Sequence, residues 1–299
     1  MKKIIGIDLG GTNVRVAKVT EEGQILQELK HESYALQGPD KICENLIDMI
    51  SQIDDWQECI GIGIGVPGPV DTVNKVMKMS TNLPGSAGYP FAQKLEARFG
   101  IPVFLDNDAN VAGLAEARVG AGKAQPIVYY VTISTGIGGA LVVDGKVVSG
   151  KNGFAGEIAN IIVDRKGKKI NHLNPGAVEN DASGTAITRI AREMIGDQIN
   201  DARDVFNLAR AGDERAVKIC DGMAFDLAIM LSTIAHVVDP YVFVVGGGCM
   251  NAKDCFFDKM QTYFKTLVHE PMQSCEFKEA ELKEPGVVGA AMLPISYGL

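Results

Sequence analysis

Residues 132–143 read TISTGIGGALVV, and this stretch carries the clearest structural signal in the chain. Apolar and β-branched residues flank a glycine-rich turn that carries the hydroxyls of Ser134 and Thr135, a pattern typical of strand, tight turn and strand. Glycines let a backbone approach an anion closely, so consecutive N–H groups and the two hydroxyls can bind a phosphate together. The stretch therefore predicts a β-hairpin whose turn holds phosphate.

A second stretch repeats this pattern near the N-terminus. Residues 4–19 read IIGIDLGGTNVRVAKV, which again predicts strand, Gly-Gly-Thr turn and strand. Two such hairpins, one opening each half of the chain, predict a duplicated nucleotide-binding fold with the nucleotide held between the halves. The small and flexible segment 120–126, GAGKAQP, is the predicted boundary between them.

Composition favours an enzyme that acts on small molecules. A chain of 299 residues with 46% hydrophobic content is long enough for two domains, each with its own core. The net charge of −8, without any run of Lys and Arg, argues against a nucleic-acid partner. No apolar run is long enough to cross a membrane, and Asp8 interrupts the first apolar run too early for a signal peptide. The six cysteines show no CxxC spacing, which predicts reduced thiols and a cytoplasmic location.

A polar cluster, Asp106-Asn107-Asp108-Ala109-Asn110, lies between a predicted buried strand over 101–105 and a predicted helix over 111–119. An Asp or Asn at such a junction often only caps the helix. Four polar residues in five exceed what a cap requires, so the pattern favours a ligand site. A carboxylate there could accept a proton from an alcohol during phosphoryl transfer.

Seven motifs, taken in chain order, resemble those of the ROK (repressor, open reading frame, kinase) sugar kinases. They are DLGGT at 8–12, GVPGPVD at 65–71, NDAN at 107–110, TGIGG at 135–139, AGE at 155–157, Glu179 with Ser183-Gly184, and VGGG at 245–248. The resemblance covers essentially the whole chain. It implies an α/β, two-domain actin-like ATPase fold, a duplicated ribonuclease H-like fold, with ATP-dependent phosphorylation of a hexose hydroxyl in an interdomain cleft. The expected domains are residues 1–119, joined by a C-terminal helix over 287–299, and residues 120–286.

The resemblance also assigns expected tasks to individual residues, each of which has a turn or surface role as its alternative. Asp108 is the expected general base for the sugar 6-hydroxyl. The expected sugar ligands are Asn82, Asn107, Asp108, Glu157 and Glu179, of which Asn82 has the least specific surroundings. The expected nucleotide-binding residues are Asp8, Gly10, Gly11, Thr12, Asn13, Thr135, Gly136, Gly138, Gly247 and Gly248. Asp8 is expected to reach Mg²⁺ through water, because Mg²⁺ usually keeps several waters.

The sequence departs from the family pattern at the zinc site that most members carry. The four expected ligand positions hold Asn160, Ile170, His172 and Ala177. A lone imidazole cannot assemble a tetrahedral zinc site. We therefore predict no structural zinc, and we interpret His172 as a surface or packing residue.

This departure bears on the substrate. In the zinc-bearing relatives the altered loop lies near the anomeric side of the sugar, and zinc-free members that resemble this pattern include β-glucoside kinases. The leading hypothesis is therefore phosphorylation of the 6-hydroxyl of a glucose unit in β-glucosides such as cellobiose. Glucokinase and N-acylmannosamine kinase are the alternatives.

Two alternatives from other protein classes are less favoured. A sugar-sensing ROK regulator needs a DNA-binding module, and the first hairpin already begins at residue 4. A filament-forming or chaperone ATPase would share the hairpins but not Asn107, Asp108, Glu157 and Glu179. Kinases of this kind are commonly dimeric, which leaves a homodimer open.

Overall fold

The computed structural model describes residues 1–299, and the chain forms two compact units. The first unit comprises Met1–Tyr130, Ala140–Gly156 and Ala280–Leu299, and the second comprises Val131–Gly139 and Glu157–Glu279. The predicted second domain over 120–286 differs from this division. A boundary at residue 120 assumes that the chain changes unit once before the C-terminal helix, whereas the chain passes between the units four times.

The strands form three sheets, and the helices fill the segments between them. The strands are β1 (Lys3–Leu9), β2 (Asn13–Thr20), β3 (Ile25–Glu32), β4 (Ile62–Val66), β5 (Val70–Asp71), β6 (Val76–Met77), β7 (Val103–Asn107), β8 (Ile127–Ile133), β9 (Ile137–Val143), β10 (Lys146–Val147), β11 (Val242–Gly246) and β12 (Glu276–Glu279). The α-helices are α1 (Pro39–Ser51), α2 (Phe91–Phe99), α3 (Asp108–Val119), α4 (Glu179–Ala182), α5 (Gly184–Met194), α6 (Ala202–Arg210), α7 (Glu214–Val238), α8 (Phe257–Leu267) and α9 (Pro285–Ser296).

The first sheet has the strand order β3-β2-β1-β4-β7. The predicted N-terminal hairpin pairs β1 with β2, whereas β4 and β7 run parallel to β1. The register places Asp8, Gly65 and Asp106 in one row across the carboxyl ends of the three parallel strands. Because neighbouring strands lie about 4.8 Å apart, Asp8 and Asp106 start from backbone positions separated by about 10 Å. The carboxyl end of a parallel sheet is where α/β folds usually bind ligands.

Glycines in two of these strands let the C-terminal helix lie directly on the sheet. A Cβ atom on Gly6 would overlap the Val287 carbonyl oxygen, and one on Gly63 would overlap the Ala290 carbonyl oxygen. Gly6 and Gly63 therefore have a packing cause, because only a bare backbone admits α9 at this distance.

A buried carboxylate ties α3 to the segment before α9. Glu116 is fully buried, and its Oε1 accepts the N–H groups of Glu281 at 3.0 Å and Leu282 at 2.9 Å. Its Oε2 accepts the N–H of Ala121 at 2.9 Å. These three bonds compensate a buried charge that would otherwise be costly. The two bonds from Glu281 and Leu282 join parts of the chain at least 165 residues apart.

The second sheet has the strand order β10-β9-β8-β11-β12. It contains the predicted second hairpin, β8 and β9, and the buried strand β11 that enters the Gly246-Gly247-Gly248 turn. Helices α6 and α7 are separated by residues 211–213. No helix combines the length and the apolar character that crossing a bilayer requires.

Candidate active site

The polar cluster of residues 106–110, at the end of β7 and the start of α3, divides into buried and exposed side chains. Asp106 is 2% exposed, and its Oδ1 accepts the N–H of Asn107 and the Nδ2–H of Asn110, both at 2.8 Å. Its Oδ2 accepts the hydroxyl of Ser149 at 3.3 Å. Burial raises the pKa of Asp106, and these hydrogen bonds oppose that rise. Asp106 and Asn110 therefore stabilise the junction from inside.

Asn107 is the N-cap of α3, which was the alternative reading of this cluster. Its Oδ1 accepts the N–H groups of Ala109 at 2.8 Å and Asn110 at 3.3 Å, and its Nδ2 donates to the Gly68 carbonyl at 3.1 Å. One N–H of the side-chain amide remains for a ligand.

Asp108 is the exposed member of the cluster. It is the first residue of α3, and its Oδ1 accepts the N–H of Ala109 at 2.8 Å. A negative charge in the first turn of a helix is stabilised by the helix dipole. The buried network beneath Asp108 and the cap beside it fix the backbone from which this carboxylate projects.

The first glycine-rich turn is held by Ser33. The Ser33 N–H donates to the Thr12 carbonyl at 2.9 Å, and its hydroxyl donates to the Gly11 carbonyl at 3.0 Å. A Cβ atom on Gly11 would lie 2.8 Å from the Asn82 carbonyl oxygen. The structure therefore brings Asn82 against the turn that contains Gly10, Gly11, Thr12 and Asn13.

Asp8 precedes this turn and is half-buried. Burial raises its pKa, and the charge of Arg15, which lies opposite in β2, opposes that rise. A Cβ atom on Gly286, in the first turn of α9, would lie 2.9 Å from the Asp8 carboxylate. Asp8 therefore lies beside a helix N-terminus, which favours its ionised form.

The second glycine-rich turn, residues 134–137, is held by α4 and α5. The Ser134 and Thr135 carbonyls accept the N–H groups of Gly184 at 2.8 Å and Thr185 at 3.3 Å. The Ile137 N–H donates to the Glu179 carboxylate at 2.7 Å. Sequence reasoning assigned Glu179 to the sugar and missed this bond, because no local pattern connects residues that are 42 positions apart.

Glu157 and Glu179 lie close enough to interact electrostatically. Removal from water, and then the neighbouring Glu179 charge, raise the pKa of Glu157. Glu179 also lines a cavity of about 320 Å³ together with Thr135, Gly136, Ile170 and Asn171. The second unit therefore groups both predicted acidic sugar ligands with the second turn.

A larger cavity, of about 720 Å³, lies within the second unit and is also lined by Thr135. Thr135 and Gly248 line it, and its volume is in the range of small-molecule sites, which is about 300–1,000 Å³. Four arginines that sequence reasoning did not single out also line it, namely Arg189, Arg192, Arg203 and Arg210. The signal available for them was the spacing of Arg189 and Arg192 on one face of α5.

The positions of the family's zinc ligands do not fit zinc in this chain. Asn160 uses its Oδ1 to accept the N–H of Asn174 at 2.7 Å, and the Asn174 carbonyl accepts the Nδ2–H of Asn180 at 3.1 Å. Ala177 is fully buried and His172 is exposed. No group of three or more His, Cys, Asp and Glu side chains among residues 1–299 is placed to hold a metal ion. The lack of zinc in the protein stays a prediction.

Comparison with known proteins identifies the family. The model of the ROK family matches residues 4–296. The chain belongs to the ROK family.

Individual ROK proteins agree with this assignment. A glucokinase from Thermotoga maritima is 32% identical over 272 residues, which cover 87% of this chain and 86% of the relative. The crystal structure of a ROK hexokinase from Thermus thermophilus has a TM-score of 0.90 at 30% identity, covering 99% of this chain and 100% of that one. The crystal structure of a ROK glucokinase from Streptomyces griseus in complex with glucose and AMPPNP has a TM-score of 0.77 at 28% identity. The match covers 97% of this chain and 98% of that one.

Three predictions made from the motifs are thereby confirmed. They are the ROK family itself, the α/β actin-like ATPase fold class, and the enzyme class of a kinase. The tasks of individual residues stay predictions, as do the absence of zinc and the choice of sugar.

Proposed function

We propose that this chain is an ATP-dependent sugar kinase that phosphorylates the 6-hydroxyl of a glucose unit, and that it accepts this unit in β-glucosides such as cellobiose. The observation that carries the proposal is the exposed carboxylate of Asp108, which projects from a capped helix start above a buried polar network. The glucokinase relatives support the reaction class, and the Streptomyces griseus complex with glucose and AMPPNP supports the pair of substrates.

In this proposal, Asp108 accepts the proton of the 6-hydroxyl as that oxygen attacks the γ-phosphorus of ATP. The bond between the γ-phosphorus and the ADP oxygen breaks, so that ADP leaves and a sugar 6-phosphate is formed. Phosphoryl transfer requires in-line placement and stabilisation of charge more than covalent help from the protein. The turns containing Gly11 and Thr135 would supply that placement through backbone N–H groups and hydroxyls.

Asp8 fits a water-mediated Mg²⁺ contact, because Mg²⁺ prefers oxygen ligands and keeps several waters. When bound with ATP, Mg²⁺ would neutralise charge on the phosphates. Asp8 would hold it from the end of β1, and Gly247 and Gly248 would leave room for the adenosine.

The finer proposal, a β-glucoside rather than free glucose, rests on the altered zinc-site loop. The Asn160 side chain bonds the backbone of Asn174, and Ile170 and Asn171 line the cavity beside Glu179. This loop therefore presents small polar and apolar groups where the family pattern has metal ligands. We propose that this change admits a substituent on the anomeric oxygen.

Glucokinase is the second candidate, and the Thermotoga maritima glucokinase favours it. N-Acylmannosamine kinase remains the third, since these activities differ only around the 1- and 2-positions of the sugar. For the protein as a whole we also propose a cytoplasmic location and a homodimer, and we expect no nucleic-acid or membrane partner.

A coupled ADP-release assay tests both levels of the proposal. Initial rates are compared for cellobiose, other β-glucosides, glucose and N-acetylmannosamine, with Asp108→Asn as the control for the chemical step. We expect kcat/KM for at least one β-glucoside to exceed that for glucose. If glucose is used more efficiently than every β-glucoside, the finer proposal is wrong. If no sugar stimulates ADP release, the kinase proposal itself is wrong.

A further inference from the structure

Three hydrogen bonds attach the second turn to the joint between α4 and α5. Two of them join backbone groups: Gly184 N–H to Ser134 O, and Thr185 N–H to Thr135 O. The third joins the Ile137 N–H to Oε2 of Glu179, at 2.7 Å. The third bond differs because its acceptor is a charged side chain, and hydrogen bonds to charged groups are roughly twice as strong as neutral ones.

Glu179 is itself held firmly in place. The Ser183 hydroxyl donates to the Glu179 carbonyl at 2.8 Å and also accepts the N–H of Ala186, which caps α5. On the turn side, a Cβ atom on Gly136 would lie only 2.6 Å from Oε2 of Glu179. The bare backbone of the turn and the carboxylate therefore fix each other's position.

The carboxylate still has capacity for a ligand. Its Oε2 bonds the turn, and each carboxylate oxygen has two acceptor positions, so Oε1 can accept a hydroxyl without breaking the bond to Ile137. Glu179 also lines the 320 Å³ cavity that Thr135 and Gly136 line. One side chain thus contacts the turn expected to hold the nucleotide phosphates and faces the space beside it.

We propose that Glu179 is a positioning residue for the phosphate-binding turn as well as a sugar ligand, so that its carboxylate couples nucleotide binding to sugar binding. The sugar half of this statement rests on the proposed function. A hydroxyl bound to Oε1 restricts rotation of the carboxylate and keeps Oε2 on the Ile137 N–H. The turn is then already ordered when ATP arrives, and an ordered site binds more tightly. Because such coupling is reciprocal, bound nucleotide strengthens sugar binding by the same factor.

The first experiment measures nucleotide affinity without sugar. The dissociation constant of AMPPNP in Mg²⁺ buffer is determined by isothermal titration calorimetry for the wild type, Glu179→Ala and Glu157→Ala. The matched control is Glu157, an acidic neighbour that makes no hydrogen bond to the turn. We expect Glu179→Ala to weaken AMPPNP binding about tenfold, as loss of a hydrogen bond to a charged group requires, and Glu157→Ala to change it less than about twofold.

Nucleotide binding by Glu179→Ala within twofold of wild type, or equal weakening by both variants, would overturn the proposal. If Glu179→Ala does not fold, Glu179→Gln is compared with Glu157→Gln. Glutamine keeps an acceptor oxygen for Ile137 but loses the charge, so we expect about threefold weaker AMPPNP binding from the neutral bond. An unchanged affinity in Glu179→Gln would overturn the proposal in that case.

The second experiment measures the coupling. AMPPNP is titrated with and without saturating glucose, and we expect glucose to tighten its binding to the wild type about fivefold, within the usual range of coupling between sites. In Glu179→Gln we expect this factor to fall below about twofold. Full coupling in that variant would overturn the proposal. If the wild type binds no glucose, the proposed sugar is wrong. The AMPPNP titrations without sugar would still show whether Glu179 positions the turn.

Discussion

The turn at Gly10–Thr12 and the turn at Ser134–Ile137 have similar compositions, but the fold supports them with different chemistry. Ser33 holds the first turn through one N–H and one hydroxyl, both donating to carbonyl oxygens. A carboxylate and two helix N-terminal amides hold the second. A neutral hydrogen bond contributes about 0.5–1.5 kcal/mol and one to a charged group about 1.5–3 kcal/mol, so the second turn should depend more strongly on a single side chain.

The two turns also have different neighbours. Gly11 meets the backbone of Asn82, which cannot move without moving its loop, whereas Gly136 meets the end of the Glu179 side chain. Crowding at the first turn should therefore disturb the fold, and crowding at the second should disturb ligand binding. Substitutions at and around the two turns can separate these effects.

Asp108→Asn should have the largest effect on turnover, because it removes the expected base. We expect kcat to fall about 10³-fold, within the range that general base catalysis supplies, with the KM values for ATP and sugar within about threefold of wild type. Steady-state ADP release measures all three constants. Nearly full kcat would contradict the assignment of the base and leave the turns as the main source of catalysis.

Gly136→Ala should have the next largest effect. The added methyl displaces the Glu179 carboxylate, so the Ile137 bond is lost, and we expect the KM values for ATP and for sugar both to rise about tenfold. Melting temperature should change little, because a side chain can move away. The same assay and a thermal melt check this.

Gly11→Ala is the matched variant in the first turn. Its methyl would meet the Asn82 carbonyl, so we expect a lower melting temperature together with weaker ATP binding. Equal melting temperatures for Gly11→Ala and Gly136→Ala would contradict the expectation that only crowding at the first turn disturbs the fold.

Ser33→Ala should have a smaller effect on ligands than Gly136→Ala. It removes the hydroxyl bond to the Gly11 carbonyl but keeps the backbone bond from Ser33 to Thr12. We expect the KM for ATP to rise about threefold and the KM for sugar to stay unchanged, as loss of one neutral bond predicts. If Ser33→Ala weakens ATP binding more than Gly136→Ala does, the first turn depends more on Ser33 than the second turn depends on Glu179, which would contradict the proposed order.

Asp226→Asn should have the smallest effect, on stability alone. Burial, followed by the charges of Asp181 on α4 and of Asp164, raises the pKa of Asp226 to about 7. An unfolded Asp titrates near 3.9, so between about pH 4 and pH 7 the native state binds more protons than the unfolded state. The free energy of unfolding should therefore fall as pH rises through this window.

Asp226→Asn should remove this pH-dependent fall in the free energy of unfolding, because asparagine does not titrate. Between pH 5 and pH 8, we expect the free energy of unfolding to fall by about 1–2 kcal/mol less in the variant than in the wild type, as measured by urea unfolding. We expect kcat to be unchanged. Parallel pH profiles for the two proteins would contradict the assignment of the titration to Asp226.

Local patterns were sufficient to predict much of the fold. The two predicted hairpins are present as β1 with β2 and β8 with β9, because apolar runs and turn glycines are properties of adjacent residues. The charged strand β12, read as EFKE, carries no such pattern and was missed. It is an edge strand that gains its register from β11, more than 30 residues earlier.

The candidate site shows the same limit. The sequence favours a ligand site for the cluster at residues 106–110, yet Asp106 and Asn110 are buried in a network and Asn107 caps a helix. Which of these side chains faces solvent depends on how β7 and α3 pack, and no window of five residues contains that information. Ser33 and Glu179 were missed as supports of the turns for the same reason, since each bonds a turn more than 20 residues away.

A crystal structure of the protein with AMPPNP and glucose would show whether Asp108 is placed to act as the base. We expect an Asp108 carboxylate oxygen to lie within about 2.6–3.2 Å of the sugar 6-oxygen, and the 6-oxygen to be in line with the γ-phosphorus. We also expect backbone contacts from both glycine-rich turns to the phosphates. An Asp108 carboxylate pointing away from the 6-oxygen, or phosphates bound without either turn, would contradict these expectations.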